Sequence, residues 1–150
     1  MRLTFTVDGK PCAQGRPRFS TAGGFARAYD PPASRDYKAV TRYTAVEEAK
    51  RQEWEQGTKA PLRVAINVYL GIPVSKAKKW KTRALRGEER PTVKPDLDNV
   101  YKIVTDALSG TLYHDDKQIC ECVIIKRYAD RPRVEVTLET IEATEEGGGE

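Results

Sequence analysis

The chain reads as an α/β (α+β) protein, a single mixed β-sheet flanked by helices. Three observations predict this. Apolar and polar side chains alternate over residues 3–7 and again over 62–70, the two-residue period of a half-buried strand. Leu97, Val100, Val104, Ala107 and Leu108 follow the i, i+3, i+7 spacing of a helix with one buried face. The expected order is strand, helix, strand, helix, helix, strand, strand, with no repeat and no linker, so one sheet carrying the helices is the economical arrangement.

The first strand, residues 3–7, stops at the Asp8-Gly9 turn. Residues 10–24 are a loop rich in glycine, proline and arginine, and 25–29 a short strand. Pro31-Pro32 blocks regular pairing, and Ser34 is the expected N-cap of a long helix over 35–56. That helix should turn Tyr37, Val40, Tyr43, Thr44 and Ala45 to the core and end at Gly57. The strand at 62–70 places Leu62, Val64, Ile66, Val68 and Leu70 on one face. Pro73 and Ser75 open a short basic helix to about Arg86, and residues 87–95 are a loop. Asp96 or Asp98 caps the next helix, which stops at Leu108 before Gly110. Strands near 118–127 and 133–139, joined by Asp130-Arg131-Pro132, complete the sheet. The folded domain is expected over 1–142, with 143–150 a disordered acidic, glycine-rich tail.

A chain of 150 residues with 39% hydrophobic and 32% charged side chains can bury a core without disulfides. Its longest apolar run is a handful of residues, far short of a membrane span. Met1-Arg2-Leu3 leads straight into a strand with no signal-peptide pattern, so no membrane partner and a cytoplasmic location are expected. Cys12, Cys120 and Cys122 are too few for a disulfide framework. Cys120 and Cys122, two apart, share a strand face and read as small buried hydrophobes. With His114 the only histidine, a four-ligand zinc site is disfavoured. The formal charge of +4 understates the basic character. The last twelve residues hold five glutamates, and without them 26 basic residues face 17 acidic ones. Such an excess favours a polyanionic partner.

Within this basic chain, carboxylates cluster twice. Lys94-Pro95-Asp96-Leu97-Asp98-Asn99 opens the last helix, and His114-Asp115-Asp116 follows it. One aspartate suffices for a helix cap; a second adds repulsion that a bound cation relieves. A helix of about eleven residues with a tight return can bring Asp116 beside Asp96 and Asp98. Three converging carboxylates suit Mg²⁺ with waters left for substrate oxygens. Lys102, at i+4 from Asp98, is either an exposed ion pair or a charge beside the scissile phosphate. Asp106 is read as structural, though it could orient Lys102. Positive charge gathers upstream in Lys76-Ala77-Lys78-Lys79-Trp80-Lys81, Arg83, Arg86 and Arg90, and in the loop carrying Lys10, Arg16 and Arg18. The lysines suit phosphate contact without sequence reading. Trp80 is expected to pack rather than stack. Arg16 and Arg18 either clamp phosphate or pair with acidic side chains.

Together, Asp96-Leu97-Asp98-Asn99, Lys102, Asp106-Ala107-Leu108 and Asp115-Asp116-x-Gln118-Ile119 resemble the RusA-type Holliday junction resolvases, small endonucleases common in phages and prophages. The segments Gly9-Lys10-Pro11, Gly15-Arg16-Pro17-Arg18-Phe19 and the basic run around Trp80 extend the resemblance over nearly the whole chain. It implies a homodimer that binds four-way DNA junctions and nicks them in pairs with Mg²⁺ or Mn²⁺, needing no small-molecule cofactor. It assigns the metal ligands to Asp96, Asp98 and Asp116, an essential lysine to Lys102 and a supporting role to Asp115. Contacts with DNA are expected from Lys10, Arg16, Arg18, Lys76, Lys78, Lys79, Lys81 and Lys94. The alternatives are a flap, fork or other branched-DNA nuclease, and a junction-binding protein without catalysis.

Overall fold

The computed structural model describes residues 1–143; the predicted tail, apart from its first residue, lies outside them. Four strands form one mixed sheet in the order β1-β6-β4-β5: β1 (Arg2–Asp8), β4 (Leu62–Gly71), β5 (Ile119–Ala129) and β6 (Arg133–Thr140). β6 runs antiparallel to both β1 and β4, whereas β4 and β5 are parallel. A separate hairpin pairs β2 (Arg18–Ser20) with β3 (Arg27–Tyr29). The helices are α1 (Pro32–Arg51), α2 (Lys78–Leu85) and α3 (Leu97–Leu108). The mixed sheet with flanking helices is therefore as expected.

The period of two decides which face of the sheet is covered. Leu3, Phe5 and Val7 of β1, Val64, Ile66 and Val68 of β4, and Val134, Val136 and Leu138 of β6 are all buried. Val100, Ile103, Val104 and Leu108 of α3 and Ala45 and Ala49 of α1 join them in one core. Each large aliphatic side chain so buried contributes about 1.5–3 kcal/mol. Trp54, Leu112 and Tyr113 extend the core below α3, and the Trp54 indole donates to the Leu112 carbonyl at 2.8 Å.

Several local expectations need correction. The first helix begins at Pro32 and ends at Arg51 rather than spanning 35–56, because Pro32 at the first helical position needs no N–H partner there. Ser34 lies inside the first turn and caps nothing; its hydroxyl accepts the Gly15 N–H at 3.0 Å. The buried stripe of α1 is Ser34, Thr41, Ala45 and Ala49, which lets the helix approach the sheet closely. Val40 and Tyr43, expected inside, are 54% and 70% exposed. Gly57 follows a turn rather than the helix, its φ of +77° supplying the bend before β4. The basic helix is shorter than expected, and β2 arises inside the segment read as loop. Cys120 and Cys122 are exposed, because β5 is an edge strand whose first half runs out from under the helices.

Candidate active site

The site is built around the N-terminus of α3. Asp96 occupies the N-cap position, yet its carboxylate makes no capping hydrogen bond. It is left free for another partner. Asp98 follows in the first turn, and both aspartates are exposed. Lys126 on β5 fixes the approach to this turn. Its ammonium donates to the Val93 carbonyl at 2.6 Å and to the Pro95 carbonyl at 3.0 Å, and the Lys94-Pro95 peptide between them is cis. A lysine on one strand thus pins the residues just ahead of Asp96.

The loop before the hairpin closes the other side. The Gln14 N–H donates to the Asn99 carbonyl at 3.1 Å, and Gln14 Nε2 donates to Asp30 at 3.3 Å. Asp30 in turn accepts from Lys38 at 2.7 Å, whose ammonium also lies 3.8 Å from Asp106. That contact gives Asp106 the structural role. Lys38 holds the Asp30 carboxyl below its ordinary pKa. Gly15 is required for the close approach: a Cβ there would lie 2.9 Å from Pro31 Cγ and 3.0 Å from Ser34 Oγ. Two adjoining clefts of about 280 and 320 Å³ result, both lined by Gln14, Arg16 and Asn99. Lys94 and Asp96 line the first, Lys102 the second. Residues 96, 99 and 102 recur every three positions, so one ridge of α3 faces the loop.

Lys102 is exposed and, among the described residues, its ammonium makes no hydrogen bond or ion pair, including the one with Asp98. The charged groups of Lys10, Arg16, Arg18, Lys78, Lys79, Lys81 and Lys94 are likewise without a partner among the described residues, whereas Arg63, Arg83, Arg131 and Arg133 all pair with carboxylates. Lys76 sits 4.8 Å from the centre of the Trp80 ring. Trp80 packs edge-on against Tyr128 at 5.3 Å, so it anchors α2 to β5 as expected.

Asp116 stands elsewhere. Its Oδ1 is 2.7 Å from the Tyr113 hydroxyl, which is itself 2.9 Å from the carbonyl of Thr105, in the C-terminal half of α3. Burial pushes the Asp116 carboxyl above its ordinary pKa, with Asp106 and Asp115 adding repulsion and the Tyr113 hydroxyl opposing them. Asp115 is a cap: its carboxylate accepts the Lys117 N–H at 3.0 Å while Gln118 returns a bond to the Asp115 N–H at 2.9 Å. Gln118 also donates to the carbonyls of Thr58 and Ala60, at 2.9 and 2.7 Å. Asp96, Asp98 and Asp116 do not meet within one chain: among the described residues no group of three or more His, Cys, Asp or Glu side chains could hold a metal ion.

Tyr113 and Lys126 were missed as positioning residues. A tyrosine two residues before an Asp-Asp pair was a usable signal for the first. Nothing local marks the second, which reaches its carbonyls from over thirty residues away.

The family model for Endodeoxyribonuclease RusA matches residues 8–139. The chain belongs to the RusA endodeoxyribonuclease family. An uncharacterized protein of Bacillus subtilis (strain 168), YqaN, is 40% identical over 143 residues, covering 94% of this chain and 98% of its own length. The match to the RusA family spans the α3 cleft and the basic residues around it. No described helix of this RusA-family chain is long and apolar enough to cross a membrane.

Proposed function

We propose that the chain is a structure-selective, Mg²⁺-dependent endodeoxyribonuclease that resolves four-way DNA junctions by paired nicks and works as a homodimer. The observation that carries this is the cleft joining the free carboxylate of Asp96 to Arg16, Lys94 and Lys102, in a chain of the RusA family. Asp96 and Asp98 fit a hard dication, because Mg²⁺ is held by one or two carboxylates and keeps water and phosphate oxygens as its other ligands. Bound there, the ion supplies Lewis acidity toward a phosphate oxygen and an attacking water. Lys102 places its ammonium where charge grows on the phosphate oxygens. Arg16 and Lys94 hold the flanking phosphates; water forms the new P–O bond, the P–O3′ bond breaks and O3′ takes up a proton, leaving a 5′-phosphate and a 3′-hydroxyl. Lys10, Arg18 and the lysines of α2 fix the duplex arms without reading sequence.

We assign Asp116 to the same site, reached from the second copy in the dimer. A four-way junction has approximate two-fold symmetry, and an isologous dimer presents two sites to opposite strands. The edges of the sheet support this arrangement. On β1 the Gln52 side chain pairs with both the N–H and the carbonyl of Thr4, at 2.9 and 2.7 Å, which covers that edge. β5 has no such cover among the described residues and exposes Cys120, Cys122 and Val123, a ready template for another chain.

The test compares nick positions on a four-way junction, a flap, a fork and a linear duplex, each with and without Mg²⁺. Symmetric paired nicks in the junction alone are expected. Cutting of flaps or forks but not junctions would replace the resolvase reading with a branched-DNA nuclease. Tight junction binding without any nick would make the chain a binding protein.

A further inference from the structure

Apart from Arg18, the β2–β3 hairpin carries side chains that the proposed chemistry leaves unused. Every residue from Arg16 to Tyr29 is exposed except Ser20, and β2 packs on β3 with no comparable contact to any other strand or helix. The tip turns through Gly23 and Gly24, with φ of +84° and +83°, and a Cβ on either would meet nothing within 4 Å. An isolated two-stranded ribbon is marginal in water, so exposed aromatics on it are not there for its own stability. Yet Phe19 is 75% exposed and Phe25 71%.

The register sorts the chemistry by face. Arg18 opposes Tyr29 and Ser20 opposes Arg27, so both arginines share one side with Tyr29, while Phe19 lies over Ala28 on the other and Phe25 sits in the tip beyond the paired residues. Neither arginine has an ion-pair partner among the described residues. The base of the ribbon is rigid, held by the Gly15–Ser34 and Gln14–Asp30 contacts that also set Arg16 in the cleft. Unpaired arginines and exposed aromatics, projecting together from the rim of the cleft, match a ligand that offers both phosphates and open π-faces. A duplex arm offers the first but keeps its bases stacked. A branch point offers both.

We propose that this hairpin recognises the branch itself: Phe19 and Phe25 stack on bases unpaired or unstacked at the crossover while Arg18 and Arg27 hold the adjoining phosphates. The inference rests on the branched-DNA reading above and names the element that discriminates branch from duplex. Base–aromatic stacking is sequence-tolerant, as such an element requires.

The experiment measures binding by fluorescence anisotropy in EDTA, so that nothing is cut, on a four-way junction and on a linear duplex of one of its arms. The Phe19→Ala/Phe25→Ala double variant should lose about tenfold or more in junction affinity and keep its duplex affinity within about twofold. Phe19→Trp should retain junction affinity, and its emission, read against the parent, should be quenched by the junction and not by the duplex. Equal loss on both DNAs would make the hairpin a general anchor and overturn the proposal, as would no loss on either. A double variant that sediments at half the parent's mass would show that the aromatics face a second copy instead. If the parent itself prefers no branched DNA over duplex, the broader reading fails rather than this one. Should the double variant misfold by circular dichroism, unquenched Phe19→Trp emission on the junction still overturns the stacking.

Discussion

Three influences meet at the Asp116 carboxyl. Burial raises its pKa, the Asp106 and Asp115 carboxylates raise it further, and the Tyr113 hydroxyl opposes them, with a net upward direction. Tyr101 and Tyr113 answer with their own upward shifts, partly through the same charge. A carboxyl raised by folding favours the native state while protonated. That stability is full below the ordinary carboxylate value and is lost as pH rises through the raised one. Above that raised value the ionised Asp116 costs the fold stability. Asp116→Asn should raise Tm near pH 7 by roughly 2 °C, with the gain vanishing near pH 4; melts with equal shifts at both pH values would refute this. The same substitution should abolish nicking, and so should Asp96→Asn, both with junction affinity unchanged or improved because negative charge facing DNA is removed. Nicking at the parental rate by both variants would end the assignment of Asp96 and Asp116 to the active site. Lys102→Ala should slow single-turnover nicking by about a hundredfold with a far smaller change in Kd. Parallel losses would make Lys102 a phosphate anchor only.

Among the elements, α3 was the most legible, since an apolar face at helical spacing leaves a helix one way to lie on a sheet. Asp96 was legible with it, because a helix start needs one carboxylate and the sequence supplies two. What the pattern could not show was tertiary override. Ser34 after two prolines looks like a cap, but Pro32 takes the helix start and Ser34 is spent on Gly15. Alternation placed Cys120 and Cys122 on one face, yet no periodicity says whether a strand is central or at an edge. Lys126 is invisible for a similar reason: its contacts are to backbone carbonyls distant in the chain. Lys126→Met keeps the apolar stem and removes both bonds. It should lower stability by only about 1 kcal/mol while slowing nicking by at least tenfold, since misplacing the α3 start moves Asp96 and Asp98 together. A rate unchanged at that stability loss would mean the 93–95 segment is held by other contacts.

At the scale of the whole molecule, the separation of Asp116 from the α3 aspartates sets the largest constraint. One chain offers Asp96 at the cleft, Asp98 in the first turn of α3 and a third carboxylate beside the other half of the helix. On the proposed reading, a site that uses all three is shared between copies, and the β5 edge, exposed at Cys120, Cys122 and Val123, is the surface proposed to join them. Val123, 56% exposed on that edge, gives a direct probe: Val123→Lys should shift the protein from dimer to monomer in sedimentation and abolish nicking with the fold intact. Mixing decides the sharing itself. Asp96→Asn and Asp116→Asn proteins, each inactive, form mixed dimers when unfolded and refolded together. If the carboxylates of a site come from two chains, both defects fall in one site of the mixed dimer and the other site is complete. Random pairing then restores roughly a quarter of the sites, and because a mixed dimer has one live site, junctions should receive single nicks rather than paired ones. If each chain built its own site, both sites of every mixed dimer would carry a defect and no activity would return.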